Sequence, residues 1–403
     1  MRRKNSTRIR TYERTHPWIT FKIMLADVTP DFWILLGEAH SKVEHLSGAP
    51  LTPKVAEHLN KIFLATGAAA TTAIEGNTLS EAEVLRRIEG QLHLPASQEY
   101  LGQEIDNIVD ACNQIKDRVV SFRTSQATSP TILKRYNKLV RRRLRERPDI
   151  SPPGEVRTES VLVGNVYRGA PAEDCEFLLE QLCDWISGPD FQPPSEVYQV
   201  PFAIIKAIVA HLYIAWIHPF GDGNGRTARL LEFQLLLEAG LPVPAAHLLS
   251  DHYNRTRSEY YRQLDQASRS GGDVKPFIKY AVQGLVDGLR SQIMVVRQQQ
   301  MQVSWEHFVH ERFRALRASE TSKRQRDLVL ELGRMEGFVP VSGISELSVR
   351  LAKLYAAKGD RTVQRDINAA DKLGLVERAH GEVRARKELI SAFLPPRCAD
   401  SNL

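Results

Sequence analysis

The stretch HPFGDGNGRTAR, His218 to Arg229, sets three glycines, a histidine, an aspartate, an asparagine and two arginines between two strongly apolar segments. Pro219 stops the helix before it and leaves His218 at the lip of a loop. The next helix is predicted to begin at Asn224 or Gly225 and to run to Gly240, a natural C-cap. Its first turn offers N–H groups without intrahelical acceptors at the positive end of the helix dipole, a site suited to an anion. Gly221, Gly223 and Gly225 let the backbone curl and approach a ligand closely. Arg226 and Arg229 project from one face of that turn. There each faces the positive dipole end, at a cost of ~0.3–1 kcal/mol. A bound anion reverses that sign. A chain of phosphates matches two guanidinium forks and a row of amides better than one carboxylate does. Asp222 repels phosphate unless a hard cation such as Mg²⁺ is shared between them. His218 then stands beside the phosphates with a side chain suited to taking a proton. The DGNG segment alone is an ordinary turn; the chemistry rests on the whole constellation.

These residues need elements to hold them. "VPFAIIKAIVAHLYIAWI" before the loop and "LLEFQLLLEAG" after it read as buried helices. Upstream, residues 19–67 carry apolar residues at three- and four-residue steps, and Thr52-Pro53 is a helix start. "TTAIEGN", Thr71 to Asn77, reads as a helix end with Gly76 as C-cap. Glu75 is then a carboxylate at a helix C-terminus, where the dipole disfavours it; a solvated carboxylate is the plain reading. Ser80 with Glu83 forms a capping box. Two amphipathic helices follow, "LGQEIDNIVDACNQIKDRV" and "TSPTILKRYNKLVRRRLRE". Pro152, Pro153 and Gly154 then break the pattern, and the run Val161 to Val163 predicts a small hairpin over Glu155 to Gly164. Helices resume at "EDCEFLLEQLCDWISG" and continue through residues 199–290.

The length of 403 residues predicts two or three domains. We expect an N-terminal helical region over 1–110, a core domain over 111–292, a linker or helix extension over 293–304 and a separate domain over 305–393. The apolar and charged fractions, 42% and 25%, are those of an ordinary globular chain, and the net charge of +6 permits nucleic-acid contact without demanding it. Cys112, Cys175, Cys183 and Cys398 form no CxxC pair and no zinc-ligand spacing, which fits a reducing compartment. The N-terminus is basic but has no apolar core of a signal peptide, and no uninterrupted apolar run of membrane-spanning length is apparent. The expectation is a cytoplasmic protein with no membrane partner.

The stretch His218 to Arg229 resembles the signature of the Fic family, HPFx[DE]GNGRxxR, and matches it at every defined position. The resemblance extends more loosely over residues 20–290. It implies a mainly α fold, a helical core with a small β-hairpin flap, and transfer of AMP from ATP to a protein hydroxyl. On that resemblance His218 is the general base toward a Tyr, Ser or Thr hydroxyl. Asp222 holds Mg²⁺ against the phosphates, and Gly223, Asn224 and Gly225 form the anion nest. Arg226 binds phosphates, and Arg229 engages the γ-phosphate. Relatives that transfer phosphate carry Lys at the place of Gly225, so Gly favours nucleotidyl transfer. "TTAIEGN" matches the family's inhibitory motif, [ST]xxxE[GN], at Thr71, Glu75 and Gly76. This implies an inhibitory helix at about 68–77 whose Glu75 pairs with Arg229 and takes the γ-phosphate's place. The hairpin corresponds to the flap, which holds a target segment by adding a strand or only covers the pocket. Tyr253, Asn254 or Tyr261 either line the nucleotide or satisfy themselves in the core.

"RTVQRDINAADKLGLVERAHGEVR" resembles the recognition helix and wing of winged-helix domains. Its helix spans Thr362 to Lys372. Arg361, Arg365 and Lys372, with Arg378, Arg384 and Arg386 on the wing, are the candidates for phosphate contact. The partners implied are a hydroxyl-bearing target protein, the chain itself as a target, DNA through the C-terminal domain, and a second copy in a homodimer. The rival readings are a DNA-binding regulator whose Fic core senses nucleotide, and an enzyme that mainly removes AMP.

Overall fold

The computed structural model describes residues 9–121, 127–145, 147–164 and 167–391. The chain divides into two units, Met1–Ile293 and Met294–Leu403, each with its own apolar core. Cys398 lies outside the described residues.

The first unit is almost wholly helical. Its elements are α1 (Thr11–Thr15), α2 (Pro30–Ser47), α3 (Pro53–Ala73), α4 (Glu81–Ile88), α5 (Glu99–Lys116), α6 (Pro130–Val140), β1 (Leu162–Val163), β2 (Tyr167–Arg168), α7 (Cys175–Ile186), α8 (Gln199–Ile217), α9 (Asn224–Glu238), α10 (Val243–Ala246), α11 (Leu248–Arg255), α12 (Arg257–Arg269) and α13 (Lys275–Arg314). Local sequence sets many of the starts. Thr29-Pro30, Thr52-Pro53 and Ser129-Pro130 place proline at the first helical position, where no N–H is needed. Ser80 and Glu83 form the expected reciprocal capping box, with Ser80 N–H 2.9 Å from Glu83 Oε2. Residues 19–29 are not helical, unlike the expectation for 19–67. Thr29 takes an extended conformation ahead of Pro30, as a residue before proline prefers.

α8 and α9 form the centre of this unit. Most residues of both are buried, including Ile204, Ile208, Leu212, Leu231 and Leu235. Burial on all sides explains why neither helix shows an amphipathic stripe. It also corrects one expectation. Glu196–Ile217 is long and apolar enough by composition to cross a membrane. Here it is a core helix whose faces are covered by α2, α7 and α9.

α13 runs on from Lys275 to Arg314, so residues 293–304 lie within a helix. The second unit adds α14 (Glu320–Leu332), β3 (Val339–Pro340), α15 (Val349–Tyr355), α16 (Asp360–Lys372), β4 (Val376–Ala379), β5 (Glu382–Ala385) and α17 (Glu388–Ser391). Its strands form an antiparallel sheet in the order β3-β5-β4, with Val376 opposite Ala385 and Val339 opposite Val383. Trp305, Leu328, Ile367 and Val383 are wholly buried in its core. Asp366 of α16 is buried too. It accepts hydrogen bonds from Arg324 at 2.6 Å, Gln325 at 3.0 Å and the Tyr355 hydroxyl at 3.0 Å.

Candidate active site

The loop between α8 and α9 is held chiefly through its backbone. His218 ends α8 in the left-handed conformation, φ 50° and ψ 57°, with its N–H on Ile214 O at 2.9 Å. Such a conformation strains a residue with a Cβ and persists only where the surroundings enforce it. The surroundings do so here. The buried Arg157 donates from Nε to His218 O at 2.7 Å and from Nη1 to Glu159 O at 2.6 Å, and its Nη2 also reaches Ala170 O. Arg157 N–H donates to Pro219 O at 2.9 Å, and Val156 pairs with Phe220 as a β-bridge. Asn224 closes the loop on itself. Its Oδ1 accepts from Phe220 N–H at 2.9 Å, and its Nδ2 donates to Phe220 O at 2.7 Å. Asn137 of α6 donates to Asp222 O at 2.8 Å and accepts from Gly154 N–H at 2.9 Å. Gly223 has φ +77°, where a side chain would be strained and would also press on Val140. The Asn224 side chain is therefore spent on the loop. What it and Gly225 offer an anion is the amides of the first turn.

The arginines already meet carboxylates. Arg226 donates to Glu104 Oε1 at 3.1 Å and lies 3.4 Å from Asp222. Arg229 donates from Nη2 to Glu75 Oε1 at 2.6 Å and to Thr71 O at 2.9 Å, and from Nε to Thr71 Oγ at 3.2 Å. Its Nη1 is buried without a hydrogen-bond partner among the described residues. Glu75 packs so closely that a Cβ on Gly225 would fall 2.1 Å from its Oε1. The turn after α3 is fastened by α12. Arg257 donates to Ala73 O at 3.2 Å and Ile74 O at 2.7 Å, and the Tyr261 hydroxyl reaches Ile74 O at 3.4 Å. A cation on the last carbonyls of a helix is a favourable cap.

His218, Glu75, Gly225, Arg229, Arg257 and Tyr261 share one cavity of about 610 Å³. Burial pushes the His218 imidazole down to about 4, so it is neutral and able to accept a proton at neutral pH. Burial would raise the Glu75 carboxyl, but the charge and hydrogen bond of Arg229 hold it below its ordinary value. A third of the Glu75 side chain stays accessible from the cavity, against 1% for Arg229. Asp222 is half exposed beside the first turn of α9. Among the described residues no group of three or more His, Cys, Asp or Glu side chains is placed to hold a metal alone. One hard carboxylate beside a phosphate site fits Mg²⁺, which commonly takes its remaining oxygens from phosphates and water.

One expectation needs correction. The hairpin pairs Leu162 with Arg168 and Val163 with Tyr167, so its second strand lies beyond Gly164. The segment around Val156 and Arg157 pairs with the loop at Pro219 and Phe220 instead, and the Arg157 guanidinium is buried there. Tyr253 does not reach the cavity. It is wholly buried, with its hydroxyl on Glu232 Oε1 at 2.9 Å. Tyr261 lines the cavity and Asn254 does not. Sequence reasoning also missed Arg157, Asn137, Glu104 and Arg257. A lone arginine ahead of a β-branched run was the one available signal for Arg157.

A family model described as Fic/DOC family matches residues 127–236. Residues 127–236 thus form a Fic domain. It is 31% identical over 210 residues to protein adenylyltransferase fic-1 of Caenorhabditis briggsae, covering 52% of this chain and 37% of that one. It is 29% identical over 210 residues to protein adenylyltransferase Fic of Nematostella vectensis, covering 52% of this chain and 44% of that one. The chain thus spans less than half the length of these curated relatives. A Fic family protein from Desulfovibrio desulfuricans G20 shares the fold with TM-score 0.54 and 19% identity over 90% of this chain and 98% of that one. Fic-1 of C. elegans, residues 134–508, does so with TM-score 0.52 and 22% identity over 66% of this chain and 73% of that one. The Fic core here thus presents its signature histidine and its second signature arginine to one cavity.

In the second unit, Arg361, Arg365 and Lys372 lie on the exposed face of α16. Arg378 is hydrogen-bonded to Asn368 at 2.5 Å. Arg384 pairs with Glu377 at 2.5 Å, and Arg386 with Glu388 at 3.4 Å. Arg365 also donates from Nε to Arg361 O at 3.4 Å, so four of the six basic residues expected to meet phosphate already have a partner within the unit.

Proposed function

We propose that this chain transfers AMP from ATP to a Tyr, Ser or Thr hydroxyl of a target protein, itself included, and that Glu75 restrains the reaction. The observation that carries the reading is the shared cavity, with neutral His218 on one wall and Arg229, held by Glu75, on another. The curated relatives, named protein adenylyltransferases, support it.

His218 Nδ1 lies 3.4 Å from Ala215 O. That contact favours a proton on Nδ1 and leaves Nε2 as the acceptor. Nε2 takes the proton of the target hydroxyl as its oxygen attacks the α-phosphorus. The new P–O bond forms as the bond to the β-phosphate breaks, and pyrophosphate leaves with the electron pair. Arg226, Arg229 and the first-turn amides of α9 balance the charge on the leaving group, an effect strongest in a site closed to bulk water. Asp222 is the residue that would hold Mg²⁺, whose chemistry when bound is further neutralisation of the phosphates. Glu75 on Arg229 takes the donor that the terminal phosphate needs, so ATP loses its alignment rather than all of its affinity.

The test uses the Glu75→Gly variant and ATP labelled at either the α- or the γ-phosphate. Label from the α position should enter protein, and label from the γ position should not. Incorporation from the γ position, or equal α-incorporation by a Glu75→Gly, His218→Ala double variant, contradicts the proposal.

A further inference from the structure

The two signature arginines meet different carboxylates. Arg229 meets Glu75, which lines the cavity. Arg226 meets Glu104, which stands on α5. Arg226 is 4% exposed, and its Nε is buried without a hydrogen-bond partner among the described residues. The shortest hydrogen bond of its side chain there runs from Nη1 to Glu104 Oε1, at 3.1 Å. Nη2 turns the other way, to Asp222, and lies 3.4 Å from both oxygens of that carboxylate.

Glu104 is itself held from the turn that carries Glu75. Asn77, two residues further on, donates from Nδ2 to Glu104 Oε2 at 2.9 Å and to Leu101 O at 3.0 Å. Its Oδ1 accepts from Leu79 N–H at 3.1 Å, so the amide is fixed at both ends. Asn77 is buried as well. Glu104 thus spends one oxygen on Asn77 and the other on Arg226.

A buried guanidinium needs a carboxylate, since an unpaired buried charge is strongly destabilising. Two carboxylates compete for Arg226. Asp222 lies four residues before it, the spacing of an ordinary ion pair on a helix. A closed pair of guanidinium and carboxylate settles at about 2.7–2.9 Å, with two parallel bonds. The 3.4 Å contacts to Asp222 fall short of that, and the shorter bond goes to Glu104. Asp222 therefore stays open. Its side chain is 46% exposed, its Oδ1 accepts from Gly223 N–H at 2.6 Å, and Arg141 Nε stands 3.8 Å from its Oδ2.

We infer that Glu104 is a positioning residue for the phosphate site, which it serves by holding Arg226 back from Asp222. The Nη2 edge of Arg226 is then left for a phosphate, and the Asp222 carboxylate for a cation. Without Glu104, Arg226 closes on Asp222 as an internal ion pair, which phosphate must break in order to bind. Asn77 acts one step further out, by holding Glu104. The inference rests on the phosphate site of the proposed function and not on AMP transfer.

The probe is inorganic pyrophosphate, titrated calorimetrically without divalent metal. The protein is the full chain carrying Glu75→Gly, in which Arg229 is free of its carboxylate. Adding Glu104→Gln keeps the shape but sets an amide N–H₂ against Asn77 or Arg226. It should weaken pyrophosphate binding by about tenfold or more, the size of an ordinary coupling between neighbouring groups. The same change on top of Asp222→Asn should weaken binding by about threefold or less, because the competing carboxylate is gone. A side chain that merely supported the fold would cost the same in both backgrounds. Equal losses in the two, or no loss with Asp222 in place, overturn the inference. So does the absence of saturable pyrophosphate binding in Glu75→Gly. If Glu104→Gln does not fold, as judged by its melting curve, Asn77→Ala decides, with a loss expected only where Asp222 is kept. Incorporation of α-phosphate label by Glu75→Gly tests the transfer separately, and labelling together with equal losses would sink the positioning role alone.

Discussion

The loop from His218 to Asn224 and the turn from Thr71 to Gly76 face one cavity but are built in opposite ways. The loop is held through its own backbone. Arg157 grips the carbonyl of His218, Asn137 that of Asp222, and Asn224 both backbone groups of Phe220. These holding side chains are all buried. The turn depends on side chains reaching in from other helices, namely Arg229, Arg257 and Tyr261, and Glu75 itself is a third accessible. A group that takes a proton needs fixed geometry, since small misplacements cost large factors in rate. A brake needs a contact strong enough to persist and weak enough to leave. On the proposed function the same cavity serves both needs, because one wall is set by buried bonds and the other by a few exchangeable ones.

The comparison is broken most sharply at His218. His218→Ala should lower α-phosphate transfer in the Glu75→Gly background by ~10²–10⁴-fold while calorimetry still shows ATP binding. Next comes Arg157. Arg157→Ala frees the His218 carbonyl and should lower kcat by about 10²-fold with little change in KM for ATP. It should also cost about 1–3 kcal/mol of stability in denaturant titration, because buried carbonyls lose their donor. A fall confined to stability, with kcat intact, would show that Arg157 supports the fold without positioning His218. The other wall should respond in the opposite sense. Arg257→Ala loosens the turn after α3 and should raise self-labelling by about 3- to 10-fold, within the range of ordinary allosteric coupling.

The smallest effect is one of pH. His218 is held down to about 4, so its proton-accepting form is complete well below neutrality. In Glu75→Gly, kcat/KM should be level from about pH 7 to pH 5 and fall only as pH approaches 4, where the ring takes a proton and can accept no other. An inflection near 6.5 would place His218 in open water. The stability sign is the same. The unfolded chain binds protons at His218 and His247 from about 6.5 downward, while the folded chain does so only near 4. Acidification through that window should therefore lower Tm.

Much of the first wall was legible in the sequence. Two apolar runs with Pro219 and three glycines between them state a helix, a loop and a helix, because those signals are local. α9 starts at Asn224 and Gly240 takes φ +88°, as the punctuation suggests. The second wall was legible only through resemblance. Glu75 and Arg229 are 154 positions apart, and no periodicity links them. Glu104, Asn137 and Arg257 are polar residues on ordinary helices, and nothing local says that they turn inward to the site. The hairpin shows the same limit. Val161 to Val163 signals a strand, but its partner at Tyr167–Arg168 lies past Gly164, where no β-branched run marks it.

The central claim is that Glu75 on Arg229 is what holds the reaction back. The direct measurement is the initial rate of α-phosphate incorporation into the full chain, Glu75→Gly against wild type, at equal protein, ATP and Mg²⁺. The account predicts an increase of ~5–150-fold, the range of a coupling of about 1–3 kcal/mol. Equal rates, with both proteins folded and both binding ATP, would contradict it.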